Sequence, residues 1–208
     1  MRVLIADDHA IFRKGLKQLL QEEYPFAEID EAGDAEELVN KSIKEKWDVI
    51  ITDLSMPGRS GLDALQHIKQ ALPDVPVLIL SMYPEDQYAI RILKAGAAGY
   101  LNKDAAQHDL IKAVQKVMAG KRYISAAVAD KIADSLGRDN GKALHELLSD
   151  REFDVMKLLS AGKSVSDIAS MMSLSVTTIS TYRARILTKM GMTSNADLTK
   201  YALENKLI

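Results

Sequence analysis

Val49-Ile50-Ile51-Thr52-Asp53-Leu54-Ser55-Met56-Pro57-Gly58 runs from an apolar strand pattern through a single carboxylate into a turn, and the first half of the chain is arranged around it. Upstream, Val3-Leu4-Ile5-Ala6 is another apolar run that ends in acids, Asp7-Asp8. Ile11, Phe12, Gly15, Leu16, Leu19 and Leu20 then follow at helical spacing. Ala27 to Glu31 reads as a weaker strand and Asp34 to about Lys44 as a helix. Downstream, Leu62 to Ile68 begins a helix after Gly61, Val77-Leu78-Ile79-Leu80 is a strand, and Gln87 to Lys94 lies in a helix ended by Gly96. Gly99-Tyr100-Leu101 is a short fifth strand, and Ala106 to Met118 an amphipathic helix stopped by Gly120. Five strand–helix repeats with apolar strands predict an α/β domain: a five-stranded parallel, doubly wound sheet covered by helices on both faces.

Ligands of such sheets bind beyond the carboxyl ends of the strands. Strand one ends in Asp7-Asp8, strand three in Asp53, strand four in Ser81, and strand five in Tyr100 followed by Lys103. Three carboxylates at one edge repel each other unless a cation joins them, and a hard divalent ion with oxygen ligands, Mg2+, is the natural partner. Lys103 adds a compact positive charge and Ser81 a hydroxyl donor. Acidic ligands, a metal, a lysine and a hydroxyl together describe a phosphoryl-transfer site, with Asp53 as the candidate nucleophile. One aspartate after a strand usually caps a loop; groups at successive strand ends argue against that here.

Composition narrows the classes. A chain of 208 residues, 47% hydrophobic and 27% charged, has the balance of a globular protein and the length of one large or two small domains. The absence of cysteine excludes disulfide scaffolds, thiolate zinc sites and cysteine nucleophiles. No apolar run approaches the ~18 residues of a membrane span. The start, Met1-Arg2-Val3-Leu4-Ile5-Ala6-Asp7-Asp8, is unlike a signal peptide. The expectation is a cytoplasmic protein without a membrane partner. Net charge is −2, but unevenly spread: residues 1–124 carry 16 Lys/Arg against 19 Asp/Glu, and residues 145–208 carry 8 against 7. His9, His67, His108 and His145 are too scattered for a metal site; His9 follows Asp7-Asp8, within reach of the crevice, but reads better as an exposed helix-start residue. Trp47 and the nine methionines, Met171-Met172 included, read as packing.

The second half changes character. Ala126 to Leu136 reads as a helix and Gly137-Arg138-Asp139-Asn140-Gly141 as a linker. From Ser149 onward only helical patterning remains, in four short pieces with Ser149, Ser164, Ser175 and Ser194 as N-cap candidates; Glu152, Asp167 and Thr178 stand three residues after the first three. Helix, tight turn, helix is the shape of helix-turn-helix DNA readers. Wound as a helix, residues 176–190 put Ile179, Ile186 and Met190 on one side, flanked by Leu187, Tyr182 and Arg183. The other side shows Thr177, Thr181, Ala184, Arg185 and Thr188, with Ser180 at its edge. Small hydroxylated groups let a helix lie deep in the major groove of double-stranded DNA. Arg183, Arg185 and Lys189 are suited to phosphates or guanine edges. An ordinary solvated face is the other reading of this helix, and output helices that bind a protein rather than DNA are the alternative for the domain.

Residues 1–120, through Asp7-Asp8, Asp53-Leu54-Ser55-Met56-Pro57-Gly58, Ser81, Lys94-Ala95-Gly96-Ala97 and Tyr100-Leu101-Asn102-Lys103, resemble the receiver domain of two-component response regulators. The resemblance implies a flavodoxin-like fold and transfer of a phosphoryl group from a histidine kinase to Asp53. It implies Mg2+ ligation by Asp8, by Asp7 through water, by Asp53 and by the backbone carbonyl of Ser55. It also implies that Lys103 pairs with the phosphoryl oxygens, that Ser81 moves to hydrogen-bond them, and that Tyr100 turns inward into the vacated space. A proline often follows that lysine in the family, where this chain has Asp104; Met82 follows Ser81 where many receivers carry a small residue. Haloacid-dehalogenase-like phosphatases also form an aspartyl phosphate, but they need a second aspartate two residues on, and this chain has Ser55 there.

Residues 145–208 resemble the LuxR/NarL (FixJ)-type helix-turn-helix domain through Leu148-Ser149-x-Arg151-Glu152, Ala161-Gly162-x-Ser164, Asp167-Ile168-Ala169, Ser175-x-x-Thr178-Ile179 and Ile186-Leu187-x-Lys189-Met190. The implied DNA-contacting set is Thr177, Ser180, Thr181, Tyr182, Arg183, Arg185 and Lys189. The last helix, with Ala196, Leu198, Tyr201, Ala202 and Leu203, is implied to help pair two copies; packing within the monomer is the other reading. The organisation expected is a receiver over 1–122, a linker with a helix over 123–144 and a DNA-binding domain over 145–208. Such a chain is a transcription regulator rather than an enzyme, forming a homodimer on activation and reading half-sites a helical turn apart.

Overall fold

A computed structural model of the chain describes residues 1–56, 61–126, 128–130 and 143–208. It divides into two compact units, Met1–Arg138 and Asp139–Ile208. Pro57 and Gly58 of the turn after Asp53, most of the Ala126–Leu136 helix pattern, and the Gly137–Gly141 linker lie outside the described residues.

In the first unit β1 (Arg2–Ala6), β2 (Glu28–Ala32), β3 (Val49–Asp53), β4 (Val77–Ser81) and β5 (Gly99–Asn102) form one sheet of order β2-β1-β3-β4-β5. All four pairings are parallel, with Ile5 opposite Ile51, Ile51 opposite Leu78 and Leu80 opposite Leu101. Every residue of β3 and β4 is buried, as a strand covered on both faces requires. The helices are α1 (Ala10–Glu23), α2 (Ala35–Lys44), α3 (Gly61–Ala71), α4 (Glu85–Lys94) and α5 (Ala106–Met118). Val3, Ile5, Leu16, Leu20, Ile51, Leu80, Leu110 and Val114 belong to one continuous core on the α1/α5 side. The chain order reverses between β1 and β3, the position at which doubly wound sheets bind ligands, so Asp7, Asp8 and Asp53 all stand at that crevice. Gly61 is required close by: a Cβ on it would lie 2.3 Å from the Asp53 carbonyl oxygen, so only glycine lets α3 start against the end of β3. After α5 the chain returns along the open edge of β5, where Tyr123 N–H donates to Ala98 O and Tyr100 N–H to Tyr123 O.

On α1 Leu16 and Leu20 are buried and Phe12 and Leu19 pack against the core, while Ile11, a helical step off that face, is 90% exposed. The expectation that the methionines pack fails in part. Met82, Met118 and Met171 are exposed as well: the first directly follows β4, and the others are the last residues of their helices, beyond the last core-facing side chain. Trp47 is buried, its indole N–H donating to the Lys41 carbonyl at 3.1 Å.

The second unit holds α6 (Asp150–Ser160), α7 (Val165–Met171), α8 (Val176–Met190) and α9 (Asn195–Glu204). Ser149, Ser164, Ser175 and Ser194 each cap a helix. Three caps are reciprocal, with Glu152, Asp167 and Asp197 returning a carboxylate to the cap N–H. Asp197 is a partner that the sequence reading did not single out. Between α7 and α8 the chain turns through Ser173 in a left-handed conformation (φ 54°), and Leu174 N–H closes the turn on Ala169 O. Phe153, Met156, Ile168, Ile179, Ile186, Leu198 and Ala202 are buried completely, so α9 packs within its own unit through Leu198 and Ala202 while Leu203 stays 60% exposed.

Candidate functional site

Each acidic side chain at the crevice is delivered by the end of a strand. Asp53 is the last residue of β3, and Leu54 N–H continues the ladder to Leu80 O. Its carboxylate is buried, and burial pushes its pKa up while Lys103 pulls it back down. Lys103 Nζ lies 2.8 Å from Asp53 Oδ2 and 2.7 Å from Asp7 Oδ2. Burial acts against the ammonium charge, but these two carboxylates prevail and raise the lysine pKa. The Phe12 ring covers it at 4.8 Å. Asp53 Oδ1 accepts from Ser55 N–H at 3.2 Å, and Asp7 Oδ1 from His9 N–H at 2.8 Å.

This arrangement fits a divalent cation. Asp7 is fully buried, and among the described residues its Oδ2 meets the Lys103 ammonium at 2.7 Å; one ammonium is thus shared between two buried carboxylates, which leaves net negative charge for a further cation to offset. Buried charge of this kind is costly unless a cation offsets it. Asp7, Asp8, His9 and Asp53 each offer a ligand atom, all within 4.8 Å of one another. His9 corrects the expectation that the histidines are too scattered for a metal site: the four are indeed scattered, but three acids offer the other ligand atoms here. It starts α1 and is exposed as expected, yet its Nδ1 lies 2.9 Å from Asp8 Oδ1.

Around this cluster stand Ser81, fully buried, whose Oγ accepts from Tyr83 N–H at 3.0 Å, and Tyr100. Tyr100 is already inside, with no exposed surface, its hydroxyl donating to Tyr83 O at 2.6 Å. Burial pushes its pKa up to about 12.

In the second unit α8 buries Ile179, Ile186, Leu187 and Met190 and exposes Thr177, Ser180, Thr181, Arg185 and Thr188. Tyr182 is half-buried; with Ser175, Thr177, Thr178, Thr181 and Arg185 it lines a shallow surface depression. The three candidate cations differ. Arg185 is exposed and has no ion pair among the described residues. Arg183 Nε donates to Asn195 Oδ1 at 2.7 Å, and Lys189 Nζ lies 2.6 Å from Glu152 Oε2. Glu152 is buried; burial pushes its pKa up, but Lys189 and the Ser149 N–H outweigh this and hold it below the usual range. Lys189 and Arg183 therefore tie α8 to α6 and to the start of α9, a role that the helical winding could not display.

Residues 3–115 match the family described as response regulator receiver domain, and residues 146–202 match bacterial regulatory proteins, luxR family. The chain belongs to the response regulators of the LuxR/NarL family: its receiver is a phosphorylation domain and its output is LuxR-type DNA binding in transcription regulation, not classical enzyme catalysis. It is 34% identical to the oxygen regulatory protein NreC of Staphylococcus carnosus, over all of this chain and 99% of that protein. Among solved structures, RcsB from Salmonella enterica serovar Typhimurium bound to promoter rprA with the phosphomimetic BeF3− is 30% identical, with a TM-score of 0.62 over 97% of this chain and 98% of that one. The response regulator ChrA of a heme-sensing two-component system is also 30% identical, with a TM-score of 0.51 over 100% and 98%. No helix among the described residues is long and apolar enough to cross a membrane.

Two outcomes are expected. Because the Tyr100 phenol ionises near 12 in the fold and near 10 when unfolded, the fold loses stability as pH rises through that window, by about 2–3 kcal/mol in total. Urea unfolding at pH 9 and 11.5, followed by Trp47 fluorescence, is expected to show a smaller loss for Tyr100→Phe than for the wild type; equal losses count against a buried phenol. Lys189→Met leaves the Glu152 carboxylate buried without its cation and is expected to destabilise the second unit by about 1–3 kcal/mol. Calorimetry is expected to show recovery in the Lys189→Met/Glu152→Gln pair, and no destabilisation would contradict the ion pair's role.

Proposed function

We propose that this chain is a two-component response regulator in which Asp53 takes a phosphoryl group from a histidine kinase, and that the modified receiver controls dimerisation and sequence-specific binding to promoter DNA. One observation carries the reading: the buried carboxylates of Asp53 and Asp7, at the ends of neighbouring strands, share the Lys103 ammonium at 2.8 and 2.7 Å. An Asp53 oxygen attacks the phosphorus of a phosphohistidine. The O–P bond forms as the N–P bond breaks, and the histidine nitrogen leaves with the bonding pair and takes up a proton. Asp7, Asp8, Asp53 and the Ser55 carbonyl would hold Mg2+, which when bound supplies the double positive charge that offsets the phosphoryl oxygens. Lys103 supplies a further charge, the Ser81 hydroxyl turns from the Tyr83 N–H to the phosphoryl group, and Tyr100 holds the inner position. By releasing the Tyr83 N–H, Ser81 thus converts a charge change at Asp53 into a rearrangement after β4, while Lys103 and Tyr100 keep their places.

On α8, Thr177, Ser180, Thr181, Tyr182 and Arg185 face the major groove. Arg183 and Lys189 approach phosphates from the flanks while keeping their contacts to Asn195 and Glu152. The proposed division is a receiver over 1–122, a linker over 123–144 and a DNA-binding domain over 145–208, in a cytoplasmic protein. The RcsB structure on promoter DNA with a phosphomimetic, at 30% identity, supports this reading.

Intact-mass spectrometry after incubation with acetyl phosphate and Mg2+ is expected to show one added phosphoryl group on the wild type and none on Asp53→Ala. Arg185→Ala and Thr181→Ala are expected to accept the phosphoryl group normally while losing specific DNA affinity, and affinity of the wild type is expected to fall steeply with log salt. Equal labelling of Asp53→Ala, or a DNA affinity indifferent to salt, contradicts the reading.

A further inference from the structure

We propose that His9 is a cation ligand of the acidic crevice and that its imidazole moves the site's preference from Mg2+ toward first-row transition ions. The inference rests on the reading of Asp7, Asp8 and Asp53 as a metal site and adds a donor of different chemistry to it. The backbone first brings the residue there: His9 N–H donates to Asp7 Oδ1 at 2.8 Å, which fixes the start of α1 over the acids. The ring follows, with Nδ1 at 2.9 Å from Asp8 Oδ1 and 3.3 Å from Asp7 Oδ1. His9 occupies the N-cap position of α1 but makes no side-chain cap bond, so the imidazole is not engaged in holding the helix.

Two ligands on opposite sides of an ion with ~2.1 Å bonds are about 4.2 Å apart. The ligand atoms of Asp7, Asp8, His9 and Asp53 lie within 4.8 Å of one another, close to the span of one coordination sphere. Independently, the fully buried Asp7 carboxylate shares a single ammonium, that of Lys103, with the buried Asp53, so the cluster keeps net negative charge that a cation would offset. The His9 side chain is 70% exposed, so the ring covers the acids from the solvent side and can exchange its N–H···O contact for an ion without moving the core. Carboxylates alone suit Mg2+; one imidazole nitrogen adds affinity for Co2+, Ni2+ and Zn2+ in the Irving–Williams order and adds little for Mg2+, which keeps oxygen ligands.

The test is calorimetric titration of the full-length protein with Co2+ and with Mg2+, alongside electron spin-echo spectroscopy of the Mn2+-loaded protein, for the wild type, His9→Ala and Asp53→Ala. The expected result is that His9→Ala loses about tenfold or more in Co2+ affinity and far less in Mg2+ affinity. The wild-type Mn2+ signal is expected to carry a directly bound nitrogen coupling that disappears in both variants. Co2+ affinity unchanged in His9→Ala, or a Mn2+ signal without nitrogen coupling, overturns the role of His9 while Mg2+ binding lost in Asp53→Ala upholds the acidic site. Failure of the wild type to bind any of the three ions overturns both.

Discussion

A single ammonium group, that of Lys103, lies between two buried carboxylates carried by the ends of different strands, 2.8 Å from Asp53 and 2.7 Å from Asp7. Buried acids of like charge are tolerated only where a cation compensates them, and the rest of the first unit can be read as the means of keeping this one in place. Parallel strands β1, β3 and β5 end at the same edge, Phe12 covers the lysine, and Gly61 lets α3 begin against the Asp53 peptide. One lysine cannot saturate two carboxylates. The crevice therefore keeps net negative charge and is suited to gain positive charge from a metal and negative charge from a phosphoryl group together.

The architecture was legible because it depends on short-range patterns. Four-residue apolar runs separated by helical periodicity define a parallel doubly wound sheet, and strand ends then determine which distant residues meet. The serine caps were equally legible, since Ser149, Ser164 and Ser175 each precede a side chain that reaches back three residues. What escaped were contacts set by tertiary geometry. Helical spacing did not by itself separate Ile11, which is exposed, from Leu16 and Leu20, which are buried, or from Phe12 and Leu19, which pack against the core. The place of His9 over Asp8 depends on a loop conformation (φ −87°, ψ 96°) that no periodicity encodes.

The output helices teach the same distinction. Winding α8 separated its buried and open faces correctly, but on a wheel all cations look alike. Only packing against α6 and α9 distinguishes Arg185, which has no ion pair among the described residues, from Lys189 and Arg183, which are bonded to Glu152 and Asn195. The α8 surface is therefore small and hydroxylated with Arg185 at its centre, and the flanking Arg183 and Lys189 tie the helix to its neighbours. This suits a helix that must enter a groove closely, with much of its positive charge kept at the margins.

The most direct measurement of the central claim is urea unfolding of the wild type and Lys103→Met, followed by Trp47 fluorescence, with and without Mg2+. If one ammonium offsets the buried carboxylates, the variant unfolds at lower urea than the wild type in a chelator, and Mg2+ stabilises the variant more than the wild type. Coincident unfolding curves for the two proteins in the chelator would contradict the account.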